Sequence, residues 1–168
     1  MTGLRILFLA VICVLPTGSA AAQTYSTSPQ KGIGVALGTV DGISGSWREG
    51  PEFYQGLIGL GGQAKLYLSV DRCITLPEWI PDVPWIMSYY GYGGILSTVR
   101  KGKGHWIGGL DDEDKDYLIL GARLPVGVLL YLQDTPLQAM GELAPAVVLG
   151  NSVTNVTLQW SLGMRYTF

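Results

Sequence analysis

A chain of 168 residues that is 48% hydrophobic and 14% charged is too apolar for a disordered tail and has the length of one domain. Its net charge of -2, with both signs interspersed, offers no basic surface on which to hold a polyphosphate backbone, so nucleic acid is excluded as a partner. The 24 glycines are about twice the average share, and they recur inside patterned segments, which suits closely approaching strands better than helices.

The first 22 residues have the layout of a secretory signal. Arg5 supplies the positive start, Ile6 to Leu15 the apolar centre, and Ala20, Ala21 and Ala22 a small-residue cleavage site. The apolar run is short of the ~20 residues a membrane-crossing helix requires. Residues 1–22 are therefore predicted to be a signal peptide and 23–168 the mature domain. After cleavage only Cys73 remains, which rules out an internal disulfide.

Downstream, the apolar residues alternate with a period of two. Ile33, Val35 and Leu37 alternate with glycines and Ala36. Ala64, Leu66, Leu68 and Val70 alternate with Lys65, Tyr67, Ser69 and Asp71. Leu118, Leu120, Ala122, Leu124, Val126, Val128, Leu130 and Leu132 share one face, with Ile119 and Leu129 as apolar exceptions on the other. The end is the most regular: Val156, Leu158, Trp160, Leu162, Met164, Tyr166 and Phe168 face one way, and Thr157, Gln159, Ser161, Gly163, Arg165 and Thr167 the other. Turn residues divide the chain into eight predicted strands, over 31–39, 43–49, 52–60, 63–71, 84–98, 116–132, 137–149 and 155–168. The connections 72–83 and 99–115 are longer than the rest. Pro125 and Pro145 fall inside predicted strands, where a missing ladder donor leads us to expect bulges.

Strands of about 9 to 11 residues cross a bilayer when tilted. The polar faces carry mostly small residues with isolated charges, which suits the cramped interior of an eight-stranded ring better than a water-exposed outside. A meander with both termini on one side places Trp47, Phe53, Tyr54, Trp85, Tyr131, Tyr166 and Phe168 at one rim, as an interfacial girdle requires. The predicted fold is all-β: an eight-stranded antiparallel up-and-down transmembrane β-barrel following the signal peptide.

The closing stretch from Gly163 to Phe168, with Met164, Tyr166 and Phe168 alternating to an aromatic last residue, resembles the assembly signal of outer-membrane barrel proteins. Gly32-Ile33-Gly34, Tyr89 to Gly94, Gly121 to Gly127 and Glu142 to Pro145 extend this to a family of small barrels similar to the membrane domain of OmpA. The resemblance implies export through the periplasm to a bacterial outer membrane. It also implies contact with the barrel-assembly machinery through the last strand, and with outer-membrane lipid and lipopolysaccharide. It carries over no catalytic, metal-binding or cofactor-binding residue.

Lys65, Arg123, Glu142 and Arg165 fall on the polar face, where charges removed from water need partners. They are expected to form a network in the lumen, with Glu142 paired to Arg165 and Arg123 served by a different partner or a water bridge. Such a network, with Tyr117 and Tyr131 also pointing inward, leaves no wide pore. The connection after Val99 offers Arg100, Lys101 and Lys103 as a lipopolysaccharide contact, and its acidic run Asp111, Asp112, Glu113 and Asp114 as a weak divalent-cation candidate. The expected function is non-enzymatic, a structural or surface-interaction barrel. Two alternatives stay open: a lipid-modifying outer-membrane enzyme, for which His105, the sole histidine, is the available base, and a secreted soluble barrel holding a small apolar ligand.

Overall fold

The structure, a computed structural model, describes residues 30–61, 64–76, 83, 85–99, 117–132, 134–150 and 153–168. For Leu60, Gly61, Ala64, Lys65, Val99, Tyr117 and Val153 it describes the backbone alone. The signal segment, Arg100, Lys101, Lys103, His105, the acidic run and the Lys65 side chain lie outside the described set.

Every described element is a strand: β1 (Gln30–Gly38), β2 (Gly42–Glu49), β3 (Glu52–Gly61), β4 (Ala64–Leu76), β5 (Ile86–Val99), β6 (Tyr117–Arg123), β7 (Val126–Tyr131), β8 (Leu137–Gly150) and β9 (Val153–Thr167). All pairings are antiparallel, and β9 pairs with β1 as well as β8, so the sheet closes on itself. β6 and β7 both lie between β5 and β8. They are two halves of one staggered position, and the ring has eight places.

The ring's shape follows from its register. Paired residues lead from Gly34 through Ser44, Leu57, Ser69, Ile95, Gly121 and Val148 to Asn155, whereas Gly34 itself pairs with Arg165 across the closing seam. The ring therefore closes with a displacement of ten residues. At ~3.4 Å per residue and ~4.8 Å between strands, that tilts the strands roughly 40° from the barrel axis.

The predicted strands correspond closely to the observed ones, with two differences. β4 continues five residues beyond Asp71, because Arg72 to Leu76 keep partners on both β3 and β5 or on β5 alone. The connection expected to begin at residue 72 therefore begins after Leu76. The second difference concerns the prolines. No register shift occurs at Pro125 or Pro145, so the expected bulges are corrected; the shifts fall instead at Leu60/Gly61 and Ala64/Leu66. Each proline keeps half of its ladder pair. The Pro145 carbonyl accepts from Leu124 N (3.0 Å) and the Pro125 carbonyl from Gly91 N (2.8 Å), while neither ring nitrogen can donate in return. The lost bonds interrupt the strand between β6 and β7 without moving its register.

The hairpin β2–β3 has Gly50 and Pro51 at its tip, Gly50 with φ +66°. Proline's fixed negative φ excludes a type I′ turn, and a glycine in the left-handed region ahead of it is what type II′ needs.

Alternation places one side chain in two outside. Along β8 the pattern is almost perfect: Gln138, Met140, Glu142, Ala144, Ala146 and Val148 are buried in the lumen, and Leu143, Pro145, Val147 and Leu149 are exposed outside. The lumen has layers. Phe53, Cys73, Met87, Tyr89, Leu129 and Met140 pack together at the end that holds the chain termini, and Val40, Tyr67, Ile95, Ile119, Ala146 and Val148 pack at the other. Ile119 and Leu129, which break the sequence pattern, are inside because they belong to these two apolar layers.

Candidate functional site

Between the apolar layers lies a polar one. Its centre is Glu142 on β8, whose carboxylate accepts from Arg123 Nη2, from Gln55 Nε2 and from the Tyr89 hydroxyl (2.7 Å). Arg123 on β6 reaches a second carboxylate, Asp71, at 3.2 Å through Nε. Its Nη1 donates to Gln159 Oε1 (3.1 Å) and to Tyr67 Oη (3.3 Å), and the Tyr67 hydroxyl donates to Gln159 Oε1 (3.0 Å). Gln55 Nε2 also donates to Asp71 Oδ2 at 3.3 Å. Arg165 on β9 donates to Ser44 Oγ from Nε (2.9 Å) and Nη2 (2.7 Å), and to Gln55 Oε1 from Nη2 (3.0 Å).

The strands make room for these groups with glycine. A Cβ on Gly93 would lie 2.1 Å from Asp71 Oδ1, and one on Gly127 would lie 2.7 Å from the Tyr89 hydroxyl. Since Gly93 pairs with both Asp71 and Arg123, and Gly127 with both Tyr89 and Glu142, these two residues clear space for the acid–base contacts beside them.

Arg123, Glu142 and Arg165 thus meet in one buried layer, but their partners differ from those expected. Glu142 pairs with Arg123, and Arg165 reaches it only through Gln55. Register alone is indifferent: Glu142 lies opposite Gly127 and Ser161, so each arginine is displaced four residues along its own strand, in opposite directions. The neighbours decide. Tyr89 and Gln55 occupy Glu142 Oε2, leaving Oε1 for Arg123, while Ser44 and Gln55 take Nε and Nη2 of Arg165 across the lumen, leaving its Nη1 without a hydrogen-bond partner among the described residues.

Sequence reasoning missed Asp71, Gln55, Tyr67, Tyr89 and Gln159 as members. Asp71 and Tyr67 stand on the polar side of an alternating run, which was the available signal. Gln55 and Tyr89 could have been found by extending the inward parity of β3 and β5 from their paired strands.

The aromatic rim also differs from the one expected. Trp47, Tyr54, Trp85, Tyr166 and Phe168 are exposed, joined by Tyr90 and Tyr92, but Phe53 is buried in the lumen. Tyr131 packs against the inner apolar layer and faces Arg48. Phe53 alternates with outward Tyr54, and Tyr131 shares the inward parity of Leu129. Tyr166 and Phe168 stack with centroids 6.4 Å apart, and the last residues are held by Lys31 N to Phe168 O (3.0 Å) and Phe168 N to Lys31 O (2.9 Å). Outside, Arg72 and Glu52 form a forked pair (Nη2–Oε2 2.7 Å), and Arg72 Nη1 donates to the Tyr92 hydroxyl (3.2 Å).

Two guanidiniums and two carboxylates offset one another out of water, and the apolar layers close this polar layer at both ends. Among the described residues no cluster of histidine, cysteine and carboxylate ligands could hold a metal ion. No protein-family model, no curated protein and no solved structure matches the chain.

Proposed function

We propose that the protein is a non-enzymatic barrel of a bacterial outer membrane, exported by its N-terminal signal, whose plugged scaffold serves a structural or surface-contact role. The observation that carries this reading is the inversion of the two faces: 27 large apolar side chains among the described residues are exposed on a closed ring whose inside holds arginine, aspartate and glutamate. A monomer in water rarely exposes so continuous an apolar surface, whereas hydrocarbon favours it and also favours a closed ring with no free backbone edge. β8, with 14 residues, rises roughly 35 Å at the ring's tilt, enough for the ~25 Å apolar band of such barrels.

In this reading the rim with the termini and the exposed aromatics faces the periplasm. The opposite rim, from which the Arg100, Lys101 and Lys103 connection leaves, faces the cell surface and lipopolysaccharide. Met164, Tyr166 and Phe168 present the last strand to the assembly machinery, and β9 completes the ring by pairing with β1. The filled lumen argues against a wide pore and against a soluble barrel with an apolar ligand inside.

The test is expression in a bacterial host followed by fractionation and gel mobility with and without boiling. The expected result is recovery in the outer-membrane pellet until detergent is added, with an unboiled band that migrates differently from the boiled one. Recovery in the periplasmic supernatant without detergent would overturn the proposal.

A further inference from the structure

We propose that the barrel thins the membrane on one flank, where lipid headgroups and their water descend from the rim away from the termini to the β1–β2 hairpin tip at Thr39 and Asp41. The proposal rests on the membrane reading above and adds to it a specified lipid contact. The wall of the ring is uneven. At the terminal rim β1, β8 and β9 end together: Lys31 and Phe168 exchange backbone hydrogen bonds, and Leu137 pairs with Tyr166. At the other rim they do not. Pairing of β1 with β9 stops at Gly38 and Ser161. Thr39 closes the contact, its N donating to Trp160 O (2.9 Å) and its Oγ1 accepting from Trp160 N (2.9 Å), and β2 begins at Gly42. Above that point β9 continues to Val153 with β8 as its one strand partner among the described residues. The stretch from Gln159 to Val153 rises roughly 18 Å at the ring's tilt.

Polar groups face the gap. Since Trp160 turns its N–H and C=O towards Thr39, alternation turns those of Leu158, Val156 and Thr154 the same way. Among the described residues no strand receives them, and the Val156 N–H is taken by the neighbouring Asn155 side chain (2.7 Å). Asp41, exposed at the hairpin tip, adds a carboxylate whose Oδ1 accepts from Gly38 N (3.0 Å). A free sheet edge and a carboxylate are both costly in hydrocarbon. The outward apolar run beside them is short. On β1 it consists of Ile33, Val35 and Leu37, with exposed Lys31 below, and from Ile33 to Thr39 the chain rises roughly 16 Å. On β8 the outward residues from Leu137 to Leu149 carry no polar side chain, and they rise roughly 31 Å. A bilayer meets a short apolar wall by thinning, at modest cost per ångström, and here thinning hydrates the β9 edge and Asp41 together. Trp160, its backbone taken by Thr39, lies below that line and stays in hydrocarbon. A lipid or polar chain crossing the leaflet at this flank meets less hydrocarbon than elsewhere around the ring.

The far wall supplies the control. Register carries Ile43 through Ile58, Leu68 and Leu96 to Leu120, a row that climbs roughly 13 Å. Leu124, four residues back towards the terminal rim, therefore stands within about 3 Å of the level of Asp41. A nitroxide is attached to Asp41→Cys or to Leu124→Cys in protein that begins at Gln23, carries Cys73→Ser and is refolded into dioleoylphosphatidylcholine vesicles. Collisions with an aqueous nickel chelate and with membrane-dissolved oxygen are then read by electron paramagnetic resonance. The expected ratio of nickel to oxygen collisions is several-fold higher at position 41 than at 124. Oxygen-dominated collisions at both would overturn the proposal and leave the membrane reading standing; nickel-dominated collisions at both would overturn the two together. A label at position 41 shielded from both reagents would show protein, not lipid, over the tip and overturn the proposal alone. If Asp41→Cys loses the heat-dependent gel mobility, Leu158→Cys and Val147→Cys replace the pair. Leu158 lies deeper than Val147 yet borders the free edge, so it should meet nickel more often; the reverse order overturns the proposal.

Discussion

Glu142 and Leu143 are neighbours in the chain and opposites in environment. Glu142 is 7% exposed and tied to Arg123, Gln55 and Tyr89; Leu143 is 55% exposed and points away from the ring. The same reversal recurs between Ser161 and Leu162, and between Arg123 and Leu124. In a water-soluble barrel the apolar member of each pair would be inside, because burial of apolar area is what drives folding there. Here the middle of the inner face, between its two apolar layers, is specified by ionic and hydrogen-bond complementarity, and the outer face is largely apolar, so substitutions on the two faces should fail for different reasons.

The largest effect is expected inside. Glu142→Ala leaves Arg123 buried without its main counter-ion, at a cost of about 3–5 kcal/mol; urea unfolding of the protein in lipid vesicles measures it. Adding Arg123→Met should restore part of the loss, and a double variant as unstable as the sum of both singles would break the pairing assigned here. Next comes the outer face. Leu143→Arg, midway along β8, should cost ~2–4 kcal/mol in a bilayer, whereas in a soluble barrel an exposed arginine would be almost neutral. The same unfolding series distinguishes the two.

A smaller and opposite effect belongs to the proline pair. Pro145→Val returns an N–H to face the Leu124 carbonyl and should stabilise the ring by up to about 1 kcal/mol, with slowed amide exchange across β7 and β8. Smallest is the outward ion pair. Arg72 and Glu52 side chains are 42% and 39% exposed, so Arg72→Ala should leave stability almost unchanged, read in the same unfolding assay.

Much of the ring was legible in the sequence because period-two alternation survives wherever one face is uniform, as from Val156 to Phe168. It faded after Asp71, where the β4 extension carries Arg72 outward and Cys73 and Thr75 inward, a mixture of residue types whose parity the sequence does not mark. The buried layer was legible as a set of inward charges but not as a set of pairs. Which arginine meets Glu142 is decided by Gln55, which donates to Glu142, and by Ser44, which accepts from Arg165; both lie over 80 positions away in the chain from Glu142 and take these places only after the ring closes. Phe53 and Tyr131 were misplaced for a related reason: an aromatic residue near a rim suits either an interfacial girdle or an inner apolar layer, and parity, not residue type, separates them.

The reversal of faces is tested most directly at Trp160, the midpoint of β9, 51% exposed on the outside. With the other four tryptophans replaced by phenylalanine, the protein is refolded into vesicles whose acyl chains carry bromine at different depths. Strong quenching of Trp160 fluorescence by bromine near the bilayer centre, with little by aqueous iodide, is expected; strong iodide quenching with no response to the brominated lipid would contradict the reversal of faces.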